Sequence, residues 1–392
     1  KYLHRQGIDR LSPIARKVER EGTPNRRNVV LVFMESMSAN LMGTFGSDKK
    51  LTPYLDSLYQ QSLSFSHFYS SGIHTNHGIY STLYSFPAIM KRNAMKGSVI
   101  PVYSGLPTVL QENGYCNLFF MTHESQYDNM NAFLRTNGFD EIYAQENYPS
   151  EKVVNSFGVQ DDFMYQYALP ILNERAGTGN PFFSVLLSIS NHPPYVIPPY
   201  FHPHSDVLEE QIVEYADWSI RQFMQAAEKQ PWFDNTIFVF LGDHGKMVGT
   251  PECEMPQSYN HIPLMIYGKD IKPGVYDGFG GQVDVSPTLL GLLNISYLQN
   301  NFGVNLLEEE RPCMFFTADN LIGARDSVNM FIYSPDSQQE FRYKLEEGKL
   351  RAATGTDEEA FRNLKDYCFS MLQSTESLVK EHKTLDKVSV KK

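Results

Sequence analysis

Cysteine is scarce in this chain. Cys116, Cys253, Cys313 and Cys368 are the four among 392 residues, and no two stand in a C-x-x-C pair, so neither a zinc-ribbon nor a disulfide framework is implied. Long hydrophobic runs are missing too. No apolar stretch reaches the roughly 18 residues of a membrane span, and nothing ahead of the core reads as a signal peptide. Concentrated basic charge is absent outside the termini and the formal net charge is −11. This argues against a nucleic-acid partner, because binding a phosphate backbone requires clustered Lys and Arg. Internal repeats and low-complexity tracts are also absent.

What is present is the material of a large core. With 42% hydrophobic and 20% charged residues, the chain can bury a sizeable α/β domain and a smaller second unit. The segments 28–34, 116–121, 182–189, 236–241 and 263–267 are short, continuous and apolar, as strands covered on both faces must be. Helical patterns at 53–59, 105–112, 161–173, 208–229 and 284–293 alternate with them; Asp284 or Ser286 is available to cap the last, and Pro287 is tolerated in its first turn. The alternation predicts an α/β sandwich around a mostly parallel sheet over residues 28–300. Residues 301–392 read as a small antiparallel β lobe (312–317, 329–333, 340–345), then a helical stretch at 356–380 and a Lys-rich tail expected to fray. Residues 1–27 are basic and polar, either a flexible arm or a segment between an anchor and a domain.

Chemistry concentrates where strands end. Val29–Phe33 leads to Glu35, Thr236–Leu241 leads to Asp243 and His244, and Phe182–Ile189 leads to Asn191 and His192. A similar stretch, Phe65–Tyr69, runs into Gly72-Ile-His-Thr75. In open α/β sheets ligands gather beyond the carboxyl ends of the strands. Carboxylates mixed with an imidazole suit zinc or manganese better than calcium, which prefers oxygen ligands alone. Taken singly, Glu35 is a solvated loop carboxylate and Gly242–Gly245 a tight turn; together they point to a metal.

Thr75 precedes an apolar helical pattern at 79–90, so its hydroxyl would lie at a helix amino terminus that favours an anionic phosphate. Metal coordination is a recognised way to activate such a hydroxyl; the plainer reading is a helix cap. His261 stands just before the 263–267 strand, whose start lies on the active edge if that strand runs antiparallel. His192 and His261 are candidates for a second metal or for substrate oxygens, and His123 for substrate contact or proton transfer. His74 and His77 flank Thr75, with local hydrogen bonding the simpler explanation for both.

In order, Val-Phe-Met-Glu35-Ser, Thr52-Pro-Tyr-Leu-Asp-Ser-Leu58, Gly72-Ile-His-Thr75, Asn191-His-Pro-Pro-Tyr195, Leu241-Gly-Asp-His-Gly245, His261-Ile-Pro-Leu264 and Asp284-Val-Ser-Pro-Thr-Leu-Leu290 resemble the alkaline phosphatase and sulfatase superfamily. The resemblance is greatest to its lipoteichoic acid synthase and phosphoethanolamine transferase branches. It implies a large α/β lobe and a small β lobe, with Glu35, Thr75, Asp243 and His244 as one metal site and Thr75 as both ligand and nucleophile. It also implies manganese or zinc, with a second zinc at His192 and His261 in the transferase branch. Sulfatases carry C/S-x-P-x-R where this chain has Thr75-Asn-His-Gly-Ile79, and the synthase Trp and Arg after the His123 counterpart are replaced by Gln126–Ala132. The expected function is therefore transfer of a phospholipid headgroup, glycerol phosphate or phosphoethanolamine, to a glycan, lipid or polymer alcohol. The expected setting is extracytoplasmic, on a membrane reached through an anchor upstream of Lys1.

Overall fold

The computed structural model describes residues 12–346, 349–353 and 358–386. Its strands are β1 Arg16–Val18, β2 Asn28–Met34, β3 Leu63–Tyr69, β4 Cys116–Met121, β5 Glu141–Tyr143, β6 Val153–Asn155, β7 Gly158–Val159, β8 Phe182–Leu187 and β9 Thr236–Gly242. They continue with β10 Leu264–Tyr267, β11 Gly274–Gly281, β12 Tyr297–Gln299, β13 Met314–Thr317, β14 Ile322–Arg325, β15 Asn329–Ser334, β16 Gln339–Glu346 and β17 Lys349–Ala352. The helices are α1 Pro53–Gln61, α2 Thr75–Tyr84, α3 Leu106–Glu112, α4 Met130–Thr136, α5 Asp161–Ala176, α6 Leu208–Ala227, α7 Gln257–Asn260, α8 Val285–Leu292 and α9 Glu358–Lys380.

Eight strands form the central sheet in the order β11-β3-β10-β9-β2-β8-β4-β5, and β10 alone runs against its neighbours. Every residue of β2, β8 and β9 is buried, which is why these strands lack the apolar–polar alternation of a half-exposed sheet. Alternation survives as a choice of side. Val29, Leu31 and Phe33 join one apolar cluster, while Val30, Val32 and Met34 join the other, as the two-residue period of a strand requires. Each such side chain contributes roughly 1.5–3 kcal/mol by leaving water, so the sheet centre is the stiffest part of the molecule. Its ends are where functional groups can be held still.

The C-terminal sheet, β13 to β17, is antiparallel throughout. Strands β14 and β17, and β5 and β11 in the central sheet, are elements the apolar pattern does not reveal. They are short, or, in β11, interrupted by Gly278, Gly280 and Gly281. Helix α9 lays Phe361, Leu364, Tyr367, Cys368 and Met371 into the same cluster as the central sheet, so the two lobes share one core. The lobes are also tied by Arg311, whose Nε and Nη2 donate to the two oxygens of buried Asp284, each at 2.6 Å.

Several expectations need correction. Residues 12–27 are not a free arm. Strand β1 pairs with β12, and Ile14 and Ala15 are buried; of the leading basic residues, Lys1, His4, Arg5 and Arg10 lie outside the described part. The tail does not fray up to Asp386, since Thr384 Oγ1 donates to the Val102 carbonyl at 2.6 Å and Ser104 Oγ to Asp386 at 2.7 Å. The helix expected over 79–90 is α2, which begins at Thr75 and stops at Tyr84. Ser85 there has φ 58°, a left-handed helix end, and Pro87 cannot continue the helix. Asp284 does not cap α8, because its carboxylate is committed to Arg311.

Candidate metal centre at the carboxyl edge of the sheet

Register alone brings the two acids together. In the parallel pair β2 and β9, Met34 lies opposite Gly242, so the next residues, Glu35 and Asp243, leave the sheet side by side. Short bonds hold the turn: Asp243 N donates to the Met34 carbonyl at 3.2 Å, Ser36 N to Asp243 Oδ1 at 2.9 Å, and Glu35 N to Ser188 Oγ at 3.0 Å. Ser36 adopts φ 52°, the strained backbone often kept at functional turns. Both carboxylates are buried, at 1% and 0% exposure. Burial, and next the facing Asp243, push the Glu35 carboxyl well above the usual carboxylate range.

His244 completes the group. Its Nε2 lies 3.7 Å from Glu35 Oε1 and 3.5 Å from Asp243 Oδ2. Its Nδ1 is 2.7 Å from the Gly245 carbonyl; a carbonyl only accepts, so Nδ1 carries the proton and Nε2 offers its lone pair. Ligand atoms of Glu35, Asp243 and His244 all lie within 4.8 Å of one another, the one such group of three among the described residues. Thr75 Oγ1 stands 3.3 Å from Glu35 Oε2. Thr75 is the first residue of α2, and the helix has no side-chain cap, so the hydroxyl faces the acids and is not a cap.

Does this arrangement fit a divalent cation? Two buried carboxylates face each other, and Asp243 Oδ2 is buried with no hydrogen bond. An orphaned acid oxygen beside a second buried carboxylate is costly without a compensating charge. Oxygen, oxygen, imidazole nitrogen and hydroxyl form a donor set suited to zinc or manganese. The residues fit the ion that the sequence implies.

The remaining histidines divide. His123 Nδ1 donates to the Glu124 carbonyl at 2.9 Å, and its Nε2 is buried without a partner; burial lowers its pKa. His192 Nδ1 donates to the Pro193 carbonyl at 2.6 Å, and its ring lies 4.2 Å from Phe157. Phe157 contacts Tyr127, which contacts His123, so the four rings form one continuous row. His261 is different. Strand β10 is antiparallel, which puts His261 on the active edge, yet its Nε2 donates to the Ser66 carbonyl at 2.9 Å and the ring stacks on Tyr69. The structure does not bring His261 into the Glu35 group. His77 is likewise occupied, with Nε2 on the Arg92 carbonyl at 3.2 Å.

Three supporting residues escape a reading of sequence. Gln282 donates to the carbonyls of Gly242 and Asp243 and accepts from Ser71 N, linking the Asp243 turn to the Thr75 loop. Asp161 accepts from Ile189 N and Ser190 N, fixing the strand end before His192. Lys246 Nζ donates to Asn191 Oδ1 at 2.7 Å, and Asn191 Nδ2 to the Glu35 carbonyl at 3.1 Å. Only Lys246 carried a signal, its place two residues after His244.

Known proteins share this fold and part of this sequence. The sulfatase family model matches residues 27–295. The chain is 25% identical over 324 residues, 74% of its length, to the lipoteichoic acid synthase-like YvgJ of Bacillus subtilis. It is 23% identical over 361 residues, 80% of its length, to lipoteichoic acid synthase of Staphylococcus aureus. It spans about half of each relative, 51% and 53%. An alkaline phosphatase superfamily protein from Vibrio parahaemolyticus superposes with a TM-score of 0.87 at 25% identity, covering 97% of this chain and 93% of that one. The lipoteichoic acid synthase LtaP of Listeria monocytogenes has the same fold, with a TM-score of 0.76 at 22% identity over 91% of this chain and 93% of its own. The chain belongs to the sulfatase family of the alkaline phosphatase superfamily.

Proposed function

We propose that this protein is a metal-dependent phosphotransferase or phosphodiesterase that takes a phospholipid-derived headgroup, glycerol phosphate or phosphoethanolamine, onto Thr75 and passes it to an alcohol. The observation that carries the reading is the Thr75 hydroxyl 3.3 Å from Glu35, at the rim of the one group of three acid and histidine ligands among the described residues. Glu35, Asp243, His244 and Thr75 would hold manganese or zinc. When bound, the cation would lower the pKa of the hydroxyl and neutralise charge on phosphoryl oxygens.

Thr75 Oγ releases its proton to solvent and forms a bond to phosphorus as the bond to the diacylglycerol oxygen breaks, leaving a phospho-threonine and diacylglycerol. A glycan, lipid or polymer hydroxyl, or water, then attacks phosphorus and restores the threonine. His123 and His192, each with Nδ1–H tied to a backbone carbonyl, present Nε2 atoms suited to accept from the headgroup or, once protonated, to give the leaving oxygen its proton. A second zinc at His261 would have to displace the Ser66 carbonyl that already holds Nε2. Similarity to lipoteichoic acid synthases supports a lipid donor and a reaction outside the cytoplasm at a membrane. Among the described residues no helix is long and apolar enough to cross one.

The sulfatase family match favours one rival, sulfate-ester hydrolysis, against which stands Thr75-Asn-His-Gly in place of C/S-x-P-x-R. Incubation with phosphatidylglycerol or phosphatidylethanolamine plus manganese or zinc, followed by peptide mass spectrometry, tests the proposal. The peptide containing Thr75 should gain the transferred group, and Thr75→Ala should lose both adduct and turnover. Faster turnover of sulfate esters than of phosphodiesters would overturn the reading.

A further inference from the structure

The residue before α2 is an odd choice. Ser, Thr, Asp or Asn usually stands there to cap the first N–H groups, whereas this chain has His74, whose side chain makes no cap bond. Its Nε2 instead meets Asp319 Oδ1 at 2.6 Å. Asp319 belongs to the turn between β13 and β14 of the C-terminal lobe, and its carbonyl accepts from Lys91 N at 3.1 Å. At the foot of the same turn, Thr317 N and Oγ1 both donate to the Ser71 carbonyl, at 2.8 and 3.2 Å. One turn of the small lobe therefore grips the threonine loop at Ser71 and at His74.

We propose that Asp319, acting through His74, is a positioning residue for Thr75, so that the C-terminal lobe is a working part of the active site. This rests on the reading of Thr75 given above. The path is short. The His74 carbonyl receives His77 N at 2.9 Å and Gly78 N at 3.2 Å, so the setting of His74 sets the first turn of α2 and the hydroxyl that its first residue carries. Both side chains of the pair are about half exposed, at 45% and 53%, and an exposed pair adds little to stability. Its consequence is geometric, and displacement of a reacting group by about 1 Å can cost on the order of a hundredfold in rate.

The test uses the full chain and whichever phosphate or sulfate ester the wild type turns over. Asp319→Ala should lower kcat about tenfold or more while KM stays within about twofold, as expected of misplacement without lost substrate contact. Asp319→Asn, whose amide oxygen still accepts from Nε2, should recover most of the loss. His74→Ala should match Asp319→Ala, and the double variant should fall no further, the signature of one shared interaction. An Asp319→Ala kcat within about twofold of wild type, additive losses in the double variant, or Asp319→Asn no better than Asp319→Ala would each overturn the proposal. Thr75→Ala is run in parallel. If it is inactive while Asp319→Ala is unaffected, only this inference falls; if it retains turnover, the reading of Thr75 falls too.

Discussion

At the scale of single residues, the site is a case of charge held where charge is expensive. Glu35 and Asp243 are buried, face each other and share one imidazole, so the protein without metal carries a repulsion that a cation would relieve. Glu35→Gln removes one of the two acids while keeping its shape. Metal-free Glu35→Gln should melt no lower than metal-free wild type, and manganese or zinc should then fail to raise its melting temperature. For wild type, a cation at about a hundred times its Kd adds roughly 2.7 kcal/mol, a shift readily seen by calorimetry. Equal metal-induced shifts in both proteins would remove Glu35 from the ligand set. His123→Ala and His192→Ala should leave that metal shift intact and reduce turnover on the order of a hundredfold, as expected for proton transfer or charge stabilisation. A lost metal shift in either would assign the ring to the ion.

At the scale of elements, helix α2 and strand β9 meet through a glycine. A Cβ on Gly78 would lie 2.2 Å from the Asp243 carbonyl oxygen, so the helix sits as close to the Asp243 turn as a bare backbone permits. Gly78→Ala should force the two apart, cost about 1–3 kcal/mol as overpacking does, and lower turnover more than tenfold as Thr75 moves from Glu35. Urea unfolding and kinetics on one preparation check both. A second junction lies between α1 and α6, where Asp217 accepts from Tyr54 N and Leu55 N. Burial pushes the Asp217 carboxyl from 3.8 up to about 7 against the pull of those N–H groups. A folded-state value above the unfolded one gives a contribution that is full below about pH 4 and lost as pH rises through about 7. Relative to Asp217→Asn, wild type should thus lose stability between about pH 4 and 8. A gap in melting temperature that does not change with pH would contradict this.

At the scale of the whole molecule, the two lobes stand or fall together. They share apolar cluster residues from β2 to α9, and the buried Arg311 and Asp284 pair crosses between them. Arg311→Ala leaves Asp284 buried without its cation and should cost about 3–5 kcal/mol, read as a single cooperative transition in urea. Two separate transitions would show that the lobes fold independently.

How much of this was legible beforehand follows from which interactions are local. Continuous apolar runs declare β2, β4, β8, β9 and β10, and a carboxylate or histidine closing such a run announces the active edge, because parallel strands all end on one side. The gathering of Glu35, Asp243 and His244 at that edge was readable for that reason. The true start of α2 was not, since Thr75 enters the helix through a histidine that pairs with the other lobe. Gln282, Asp161 and Asp319 bond to groups far along the chain, and no periodicity records a partner. His123, His192 and His261 look alike in sequence; backbone carbonyls decide between them, taking Nδ1–H of the first two and Nε2–H of the third. Sequence by itself determined the layered fold and the chemistry gathered at its edge, because burial and strand period are properties of consecutive residues. Tertiary structure alone decided which groups converge, because strand register and the docking of the small lobe are set by contacts between distant segments.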